Sequence, residues 1–344
     1  MEALMGKAMD NICLWELFTC KLDVFGLLDI GFANLLYNSV FKSPSFFILL
    51  HINKQLNPMA IQKTYSFYGD ASVALTSTAE LLQFDIANDH IACSLINMGN
   101  QAVQAFEFFE WEAGVGAQDN HWASIFSDAA ATSELLQKQV SAVQVFINSA
   151  TAVIVPLEKF NTEAATDYLQ LLFGPAIEAT LKHEKIKNTP SLINCYRIPN
   201  GLLDVLNTRY PLHQLAHAYT PNITGLYAEA VSDKPMLKLQ FYKNHFIASL
   251  FVSSTLQFVQ SFSFISTEDI CYHLLHINTA HQIDASSIKV NMMGFIDDSS
   301  AAAGCIEQIY PMVEYKKPRQ EKVLPAMFDA PVSHYFTAFL KPLA

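Results

Sequence analysis

A succession of three strands, a helix, a strand, a helix and a strand occurs twice along this chain of 344 residues. Each copy opens with three short apolar runs separated by tight polar turns, a pattern typical of an antiparallel meander. These runs lie at 81–86, 90–98 and 102–111 in the first copy, and at 237–242, 246–252 and 256–264 in the second. The duplication predicts an α/β chain with two mixed sheets, each flanked by helices, and a cleft between two lobes.

The segments that follow each meander alternate between helical and strand patterns. In the first copy, helices are predicted at 120–139, 162–173, 199–208 and 221–231, and strands at 140–148, 152–156, 191–198 and 212–219. In the second copy, helices are predicted at 266–281 and 299–309, and strands at 288–293 and 312–315. A Lys-rich connection precedes the strand at 191–198. The predicted domains are an extension over 1–58, a first lobe over 59–232, and a second lobe over 233–344 that ends in a return helix.

The first 58 residues are rich in Leu and Phe but have no regular period. Their longest charge-free windows, 30–41 and 43–53, are too short for a membrane-spanning helix, which needs about 20 apolar residues. Glu2 and Asp10 argue against a secretory signal. Two explanations stay open: an accessory helical extension, or an over-long gene model whose true start is Met59. The regular pattern that begins after Met59 favours the second.

The charge balance excludes several classes of partner. With 21 basic and 32 acidic residues, the net charge of -11 argues against general binding to nucleic acid or anionic lipid. The one basic cluster, 315–319, is interpreted as a solvated loop. The six cysteines have no paired short spacing, which predicts reduced, mostly buried thiols in a cytoplasmic protein. No metal site is predicted, because His273 and His276 on the helix at 266–281 lack the further ligands that zinc needs.

Aromatic residues occupy both faces of the strand at 102–111. Alternation places Phe106 and Phe108 on one face, with Phe109 and Trp111 on the other. A strand that is apolar on both faces is covered on both. Helices of the same chain or a partner subunit could provide the second cover, and burial within the chain is the simpler prediction.

Several stretches in fixed order carry a resemblance to a known family. They are YRIPNGLLDVLNTRYP, HAYTPNITGLY, FIASLFVSSTLQFVQSFSF, STEDICYHLL, VNMMGFIDD and APVSHYFTAFLKPL. Together with the duplication, this set resembles the actin-like ATPase superfamily (ASKHA), whose two lobes are ribonuclease-H-like. Within it, the chain is similar to an uncharacterised Bacteroidota domain-of-unknown-function family, which is distantly similar to the pilus-assembly protein PilM. The resemblance covers about residues 78–344 and implies a nucleotide cleft between the lobes.

The resemblance also implies where ATP and Mg²⁺ would bind. The first phosphate loop of the superfamily has the form Asp-x-Gly, and here Asp85 keeps the acidic place while Ala87 replaces the glycine, before Asn88. The glycine matters because backbone amides must come close to the phosphates, and a methyl group obstructs that approach. Asp85 could hold a Mg²⁺-bound water, but an Asp at a strand-to-turn junction also commonly caps the turn itself.

The other two motifs of the cleft are reduced as well. The second phosphate loop falls at 241–244, where neither the carboxylate nor the glycine is present and Asn244 ends the turn. One partner of a metal-bound water is therefore missing. The adenosine motif keeps a single glycine, Gly294, of the expected two. The candidate cofactor-binding residues are thus Asp85, Ala87, Asn88, Asn244 and Gly294, in a degenerate nucleotide cleft.

No catalytic residue is assigned, because the chain has neither a Gly-x-x-x-x-Gly-Lys loop nor a Gly-x-Ser-x-Gly elbow. The interpretation is a catalytically degenerate binding or scaffold protein without a cofactor, which acts as a homodimer or with a protein partner and does not insert into membranes. Two alternatives stay open. The chain could bind Mg·ATP through non-standard loops, or it could bind a small molecule in the cleft without recognising phosphate.

Overall fold

The computed structural model describes residues 61–69, 79–111, 121–176, 178–187, 191–229 and 235–341, all within the unit Met59–Ala344. The predicted extension over 1–58 lies outside these residues. The strands are β1 Gln62–Tyr68, β2 Glu80–Ile86, β3 His90–Asn97, β4 Val103–Glu110, β5 Ala142–Ile147, β6 Ala152–Pro156, β7 Ala179–Lys185, β8 Leu192–Pro199, β9 Gln214–His217, β10 Met236–Phe241, β11 His245–Val252, β12 Thr255–Ser263, β13 Lys289–Gly294 and β14 Val313–Tyr315. The helices are α1 Trp122–Thr132, α2 Ala165–Phe173, α3 Asn200–Arg209, α4 Tyr219–Glu229, α5 Thr267–Ala280, α6 Ala301–Ile309, α7 Pro325–Phe328 and α8 His334–Thr337.

The duplication predicted from the sequence is present in the two large sheets. The first has the order β1-β4-β3-β2-β5-β9 and the second the order β12-β11-β10-β13-β14. In both, an antiparallel meander is followed by two parallel strands on the other side of its first strand. Apart from the edge strand β1, the two orders are the same. The mixed α/β class with two repeated sheets is confirmed, and we call these sheets with their helices the first and second lobes.

The first lobe differs from the prediction in several places, and its edge strand β1 was not predicted. The helix expected over 120–139 ends at Thr132, because Ser133 leaves the helical conformation and its hydroxyl donates to the buried carboxylate of Glu107. The Lys-rich connection contains β7, which pairs with β8 and, through it, with β6 in a separate three-stranded sheet. Five of the seven residues of β7, Ala179–Lys185, are polar and the strand is only partly buried, so it lacks the apolar alternation that predicts strands.

The last element of each lobe packs against the other lobe. Helix α4 follows β9 and reaches the second sheet, where the Ser261 amide donates to the Tyr219 hydroxyl over 2.8 Å. The rings of Tyr227 and Phe251 also meet there, with centroids 4.6 Å apart. In the reverse direction, residues 325–341 follow the second sheet and pack on the first lobe; we call this stretch the 325–341 segment.

The Phe-rich face of β4 is covered by the 325–341 segment. Phe336 packs against Phe106 with ring centroids 5.5 Å apart, and Phe339 packs against Phe108 at 5.2 Å. Phe109 and Trp111, on the other face, are buried as well. The prediction that both faces are buried within the chain is confirmed.

The expectation of reduced thiols is wrong for one pair of cysteines. Cys271 on α5 and Cys305 on α6 form a disulfide, with Cα atoms 6.4 Å apart. The two residues are 34 positions apart, and only the packing of α5 against α6 brings them together. Cys93 and Cys195 are free and buried. None of the helices among the described residues has both the length and the apolar character to cross a membrane.

His217, at the end of β9, is buried in its neutral form. Its Nε2 lies 2.9 Å from the Ser149 carbonyl oxygen, and its Nδ1 accepts the Tyr219 amide over 3.1 Å. Only the tautomer with a proton on Nε2 and none on Nδ1 satisfies both contacts. Burial lowers the pKa of His217 from 6.5 to about 3, although the hydrogen bond to Ser149 opposes this shift.

We therefore expect the free energy of unfolding to fall as the pH is lowered from about 6.5 to about 3. In this window the unfolded chain binds a proton at His217 and the folded chain does not, which favours unfolding by up to about 1.4 kcal/mol per pH unit. His217→Gln keeps a donor and an acceptor but cannot titrate. Urea unfolding at pH 7 and pH 5 should show a loss about 2 kcal/mol smaller in this variant than in the wild type. Equal losses would contradict the assignment.

Candidate site between the two hairpin turns

The first hairpin turn joins β2 to β3 and contains three of the predicted site residues. Asp85 is the last but one residue of β2, and Ala87 and Asn88 begin the turn. The Ala87 amide donates to the His90 carbonyl over 3.0 Å, and the Asn88 carbonyl accepts the Trp111 indole N–H over 2.8 Å. The Ala87 amide is therefore used to close the turn and does not point to an open phosphate site.

The second hairpin turn joins β10 to β11 and touches the first directly. The Tyr242 amide donates to the His245 carbonyl over 2.8 Å, which closes this turn in the same way. Asn244 Nδ2 donates to Asp89 Oδ2 over 3.3 Å. Next to this contact, Lys243 Nζ lies 3.1 Å from Glu110 Oε2. The hydrogen bond from Asn244 to Asp89 thus links the two turns to which the resemblance assigns phosphate binding.

Three aromatic rings stack behind this contact. The Tyr242 ring lies between His90, with centroids 5.3 Å apart, and His245, at 4.6 Å, and both pairs are nearly parallel. Burial raises the pKa of Asp89, but the hydrogen bond to His90, 2.8 Å away, and the nearby His90 and His245 outweigh it and lower the pKa to about 2. Burial lowers the pKa of His245 to about 4. Asp89 is therefore a stable acceptor for Asn244 at neutral pH.

Asp85 is paired with a lysine from the far end of the sequence. The Lys341 ammonium donates to Asp85 Oδ2, and His90 Nε2 lies 3.5 Å from Asp85 Oδ1. Asp85 is 2% exposed and Lys341 is 8% exposed, so this is a buried ion pair. The Lys341 ammonium also lies 5.3 Å from the centre of the Phe146 ring. Burial lowers the pKa of Lys341 to about 7, and the adjacent carboxylate favours the charged form.

This arrangement does not fit the magnesium site that the resemblance implies. Mg²⁺ is held through carboxylates and several waters. Here the Asp85 carboxylate is already balanced by an ammonium group, and the second loop supplies an amide, Asn244, and no carboxylate. Over the part of the chain that the structure describes, no three His, Cys, Asp or Glu side chains are grouped so as to hold a metal ion.

Two glutamines, one from each lobe, hold the 325–341 segment by its backbone. Gln83 Nε2 donates to the Lys341 carbonyl over 3.2 Å, and Gln83 Oε1 accepts the Lys341 amide over 3.3 Å. In the second lobe, Gln240 Nε2 donates to the Ala338 carbonyl over 2.9 Å. The sequence analysis missed these residues. The Gln-Phe pairs at 83–84 and 240–241 are not a shared signal, because the first lies two residues further from its turn than the second.

Gly294 has a structural role of its own at the end of β13. Its φ is +86°, and a Cβ atom there would lie 2.0 Å from the Phe241 carbonyl oxygen. This close approach lets the Phe295 amide donate to the same oxygen over 2.9 Å. The Phe295 ring then packs between Phe108, at 4.9 Å, and Phe339, at 5.3 Å. The glycine is thus required by the backbone, whether or not adenosine binds.

The structure therefore brings four of the predicted residues to the two hairpin turns, namely Asp85, Ala87, Asn88 and Asn244, while Gly294 lies beside the end of β10.

A cavity of about 310 Å³ adjoins the first turn. Asn88, Asn148, Trp122 and Arg197 are among its lining residues. It opens near the carboxyl ends of β2 and β5, where ligands of open α/β sheets commonly bind.

Comparisons with known proteins agree with this architecture. A family model described as "Protein of unknown function (DUF3822)" matches residues 72–310. A crystal structure from Bacteroides thetaiotaomicron, described as a protein with actin-like ATPase fold and unknown function, is similar with a TM-score of 0.63 and 18% identity. It covers 77% of this chain and 97% of that one.

A chain of the PilM-PilN type IV pilus biogenesis complex is similar with a TM-score of 0.54 and 14% identity, covering 76% of this chain and 98% of that one. No protein of curated function matches the sequence. At these identities the likeness concerns the fold alone, and the two-lobed actin-like ATPase architecture predicted from the sequence is confirmed.

Proposed function

This chain belongs to the DUF3822 family of proteins of unknown function and has the actin-like ATPase fold; from this premise we propose that it is a catalytically degenerate binding or scaffold protein. The observation that carries the proposal is the buried pair of Asp85 and Lys341. The chain's own cation takes the place of a metal-bound water, and the polypeptide itself fills the cleft in which the superfamily binds a nucleotide.

Four further contacts support closure of the cleft. The two turns are joined by the hydrogen bond from Asn244 to Asp89. The rings of Phe295 and Phe339 fill the space beside them. Gln83 and Gln240 hold the backbone of the 325–341 segment from both lobes. A nucleotide would have to displace the Lys341 ammonium. The buried Asp85 carboxylate would then lose the cation that neutralises it, which opposes nucleotide binding.

A protein partner or a second copy of the chain is the ligand that this proposal implies. The retained fold, with its phosphate sites closed, is suited to presenting surfaces to other proteins. A structural neighbour of the same fold has been solved within a PilM-PilN complex, which supports a role of this kind. In this proposal the lobes form a fixed frame and no chemical step takes place.

We expect calorimetric titration of the full chain with Mg·ATP to give no binding heat, because the Asp85 carboxylate is already paired with the Lys341 ammonium. The melting temperature should likewise stay unchanged when Mg·ATP is added. Titration into Asp85→Ala is the control. Micromolar binding that disappears in that variant would overturn the proposal in favour of an ATP-binding protein with non-standard loops. A rise in the wild-type melting temperature with Mg·ATP would overturn it without recourse to the variant.

The cavity beside the first turn favours a second candidate function, the binding of a small molecule. Trp122 lines this cavity, and its buried indole N–H has no hydrogen-bond partner among the described residues. A ligand with an acceptor oxygen would satisfy it. The same thermal measurements with a set of metabolites distinguish this candidate, because a metabolite would raise the melting temperature while Mg·ATP would not.

A further inference from the structure

A large groove formed by residues of both lobes is lined by cations. Its volume is about 870 Å³, at the upper end of the range for ligand sites. Seven of the chain's 21 Lys and Arg residues line it, whereas none of the described Asp or Glu residues does. Residues from α4, β10, β13 and the stretch 316–341 form its walls. We call it the basic groove.

Only some of these cations are neutralised within the chain. Lys289 and Lys316 share one carboxylate, that of Glu314, at 2.6 and 2.8 Å. Lys322 donates to the neutral carbonyl of Asn100 over 2.7 Å, so its charge remains. Lys317 and Arg319 are exposed, and neither forms an ion pair with any carboxylate of the described residues.

The concentration of positive charge in this groove contrasts with the negative net charge of the chain. The net charge is -11, which repels anions at long range, yet one groove concentrates positive charge. Lysines of a solvated surface are usually interspersed with acidic residues, as Lys289 and Lys316 are with Glu314. Besides the cluster at 315–319, the fold brings Lys289 and Lys322 to the same concave surface.

The groove also contains apolar surface. Met236 and Leu340 line it and are only partly buried. A bare phosphate ligand would leave these side chains in contact with water. A peptide that carries both carboxylates and apolar side chains would cover them and neutralise the cations together. The combination of charge and apolar surface thus selects a polypeptide ligand over a phosphate.

We propose that the basic groove binds an acidic segment of a partner protein in which carboxylate and apolar side chains alternate. The carboxylates pair with Lys317, Arg319 and Lys322, and the apolar side chains contact Met236 and Leu340. This inference rests on the proposed binding function and names the chemistry of the partner. Lys341 lines the groove and also pairs with Asp85. The two proposals can still fail separately, because the Mg·ATP result tests the Asp85–Lys341 pair, whereas the peptide test varies Lys317 and Arg319.

The probe is a short synthetic peptide of alternating Glu and Leu with a fluorescent label, titrated with the full chain and followed by anisotropy. We expect saturable binding that weakens as salt rises from about 50 to about 300 mM. The variant Lys317→Glu/Arg319→Glu should bind at least about tenfold more weakly. The matched control is Lys159→Glu/Lys185→Glu, which changes two exposed lysines outside the groove by the same total charge and should bind as the wild type does.

Three comparison ligands complete the test: a Lys-Leu peptide, poly-Glu of the same length and inorganic polyphosphate. Weak binding of all three supports the proposal. Equal binding of polyphosphate would overturn it and assign the groove to phosphate ligands. Equal loss in both double variants, or no binding of the Glu-Leu peptide, would also overturn it. A lack of nucleotide binding in the same preparation would then leave the closed-cleft proposal standing.

Discussion

Replacing Lys341 by methionine should lower the free energy of unfolding by about 3–5 kcal/mol, because the substitution leaves the buried Asp85 carboxylate without its partner. Methionine keeps the length of the side chain and its contact with the Phe146 ring, so the loss reports on charge and not on volume. Urea unfolding at neutral pH measures it.

The double variant Asp85→Asn/Lys341→Met should recover most of this stability. Removing both members of a buried ion pair is commonly close to neutral, whereas removing one member is costly. The cycle of single and double variants then isolates the coupling between the two side chains. Lys316→Met is the control, since Lys316 pairs with Glu314 near the surface and its loss should cost less than about 1 kcal/mol. A similar cost for both lysines would contradict the buried pair.

Gly294→Ala should destabilise the protein at least as much as Lys341→Met does. We expect the free energy of unfolding to fall by about 3 kcal/mol or more, or the variant to yield no soluble protein. The added methyl carbon would lie 2.0 Å from the Phe241 carbonyl oxygen, and the backbone at φ +86° is strained for alanine. Relief would require β13 to move away from the end of β10. That movement would also pull the Phe295 ring out of its place between Phe108 and Phe339.

Gly304→Ala is the matched control for this substitution. Gly304 lies inside helix α6, and a Cβ atom there meets nothing within 4 Å. Alanine should therefore raise stability by about 1 kcal/mol, as expected for the interior of a helix. Thermal unfolding of both variants beside the wild type gives the comparison. Loss of stability in Gly304→Ala, or none in Gly294→Ala, would contradict the backbone geometry described above.

The fold could be predicted because its signals are local. Each strand of the second meander is a short apolar run between polar turns, and β10, β11 and β12 lie within two residues of their predicted bounds. Helix α5 begins where its capping sequence predicts, with Ser266 accepting from the Asp269 amide. Strand β7 was missed because its polar sequence obtains its strand conformation from pairing with β8 and not from its own pattern.

The site could be predicted only in part. The motif positions located Asp85 and Asn244 at facing turns, but not what those residues bind. Lys341 lies 256 positions after Asp85, and Asn244 lies 155 after Asp89. Contacts over such separations depend on the packing of whole lobes, which no local pattern specifies. The same applies to the basic groove, where only the cluster at 315–319 is visible in the sequence.

The exchange of elements between the lobes has a thermodynamic consequence. Tyr242 and Ile247 of the second lobe belong to the same apolar core as Phe336 and Phe339 of the 325–341 segment and the strands of the first lobe. Helix α4 of the first lobe is in turn bonded to the second sheet. Neither half could melt alone without uncovering apolar surface that the other half keeps dry. The repeated sequence thus encodes two halves of similar architecture that unfold together as a single cooperative unit.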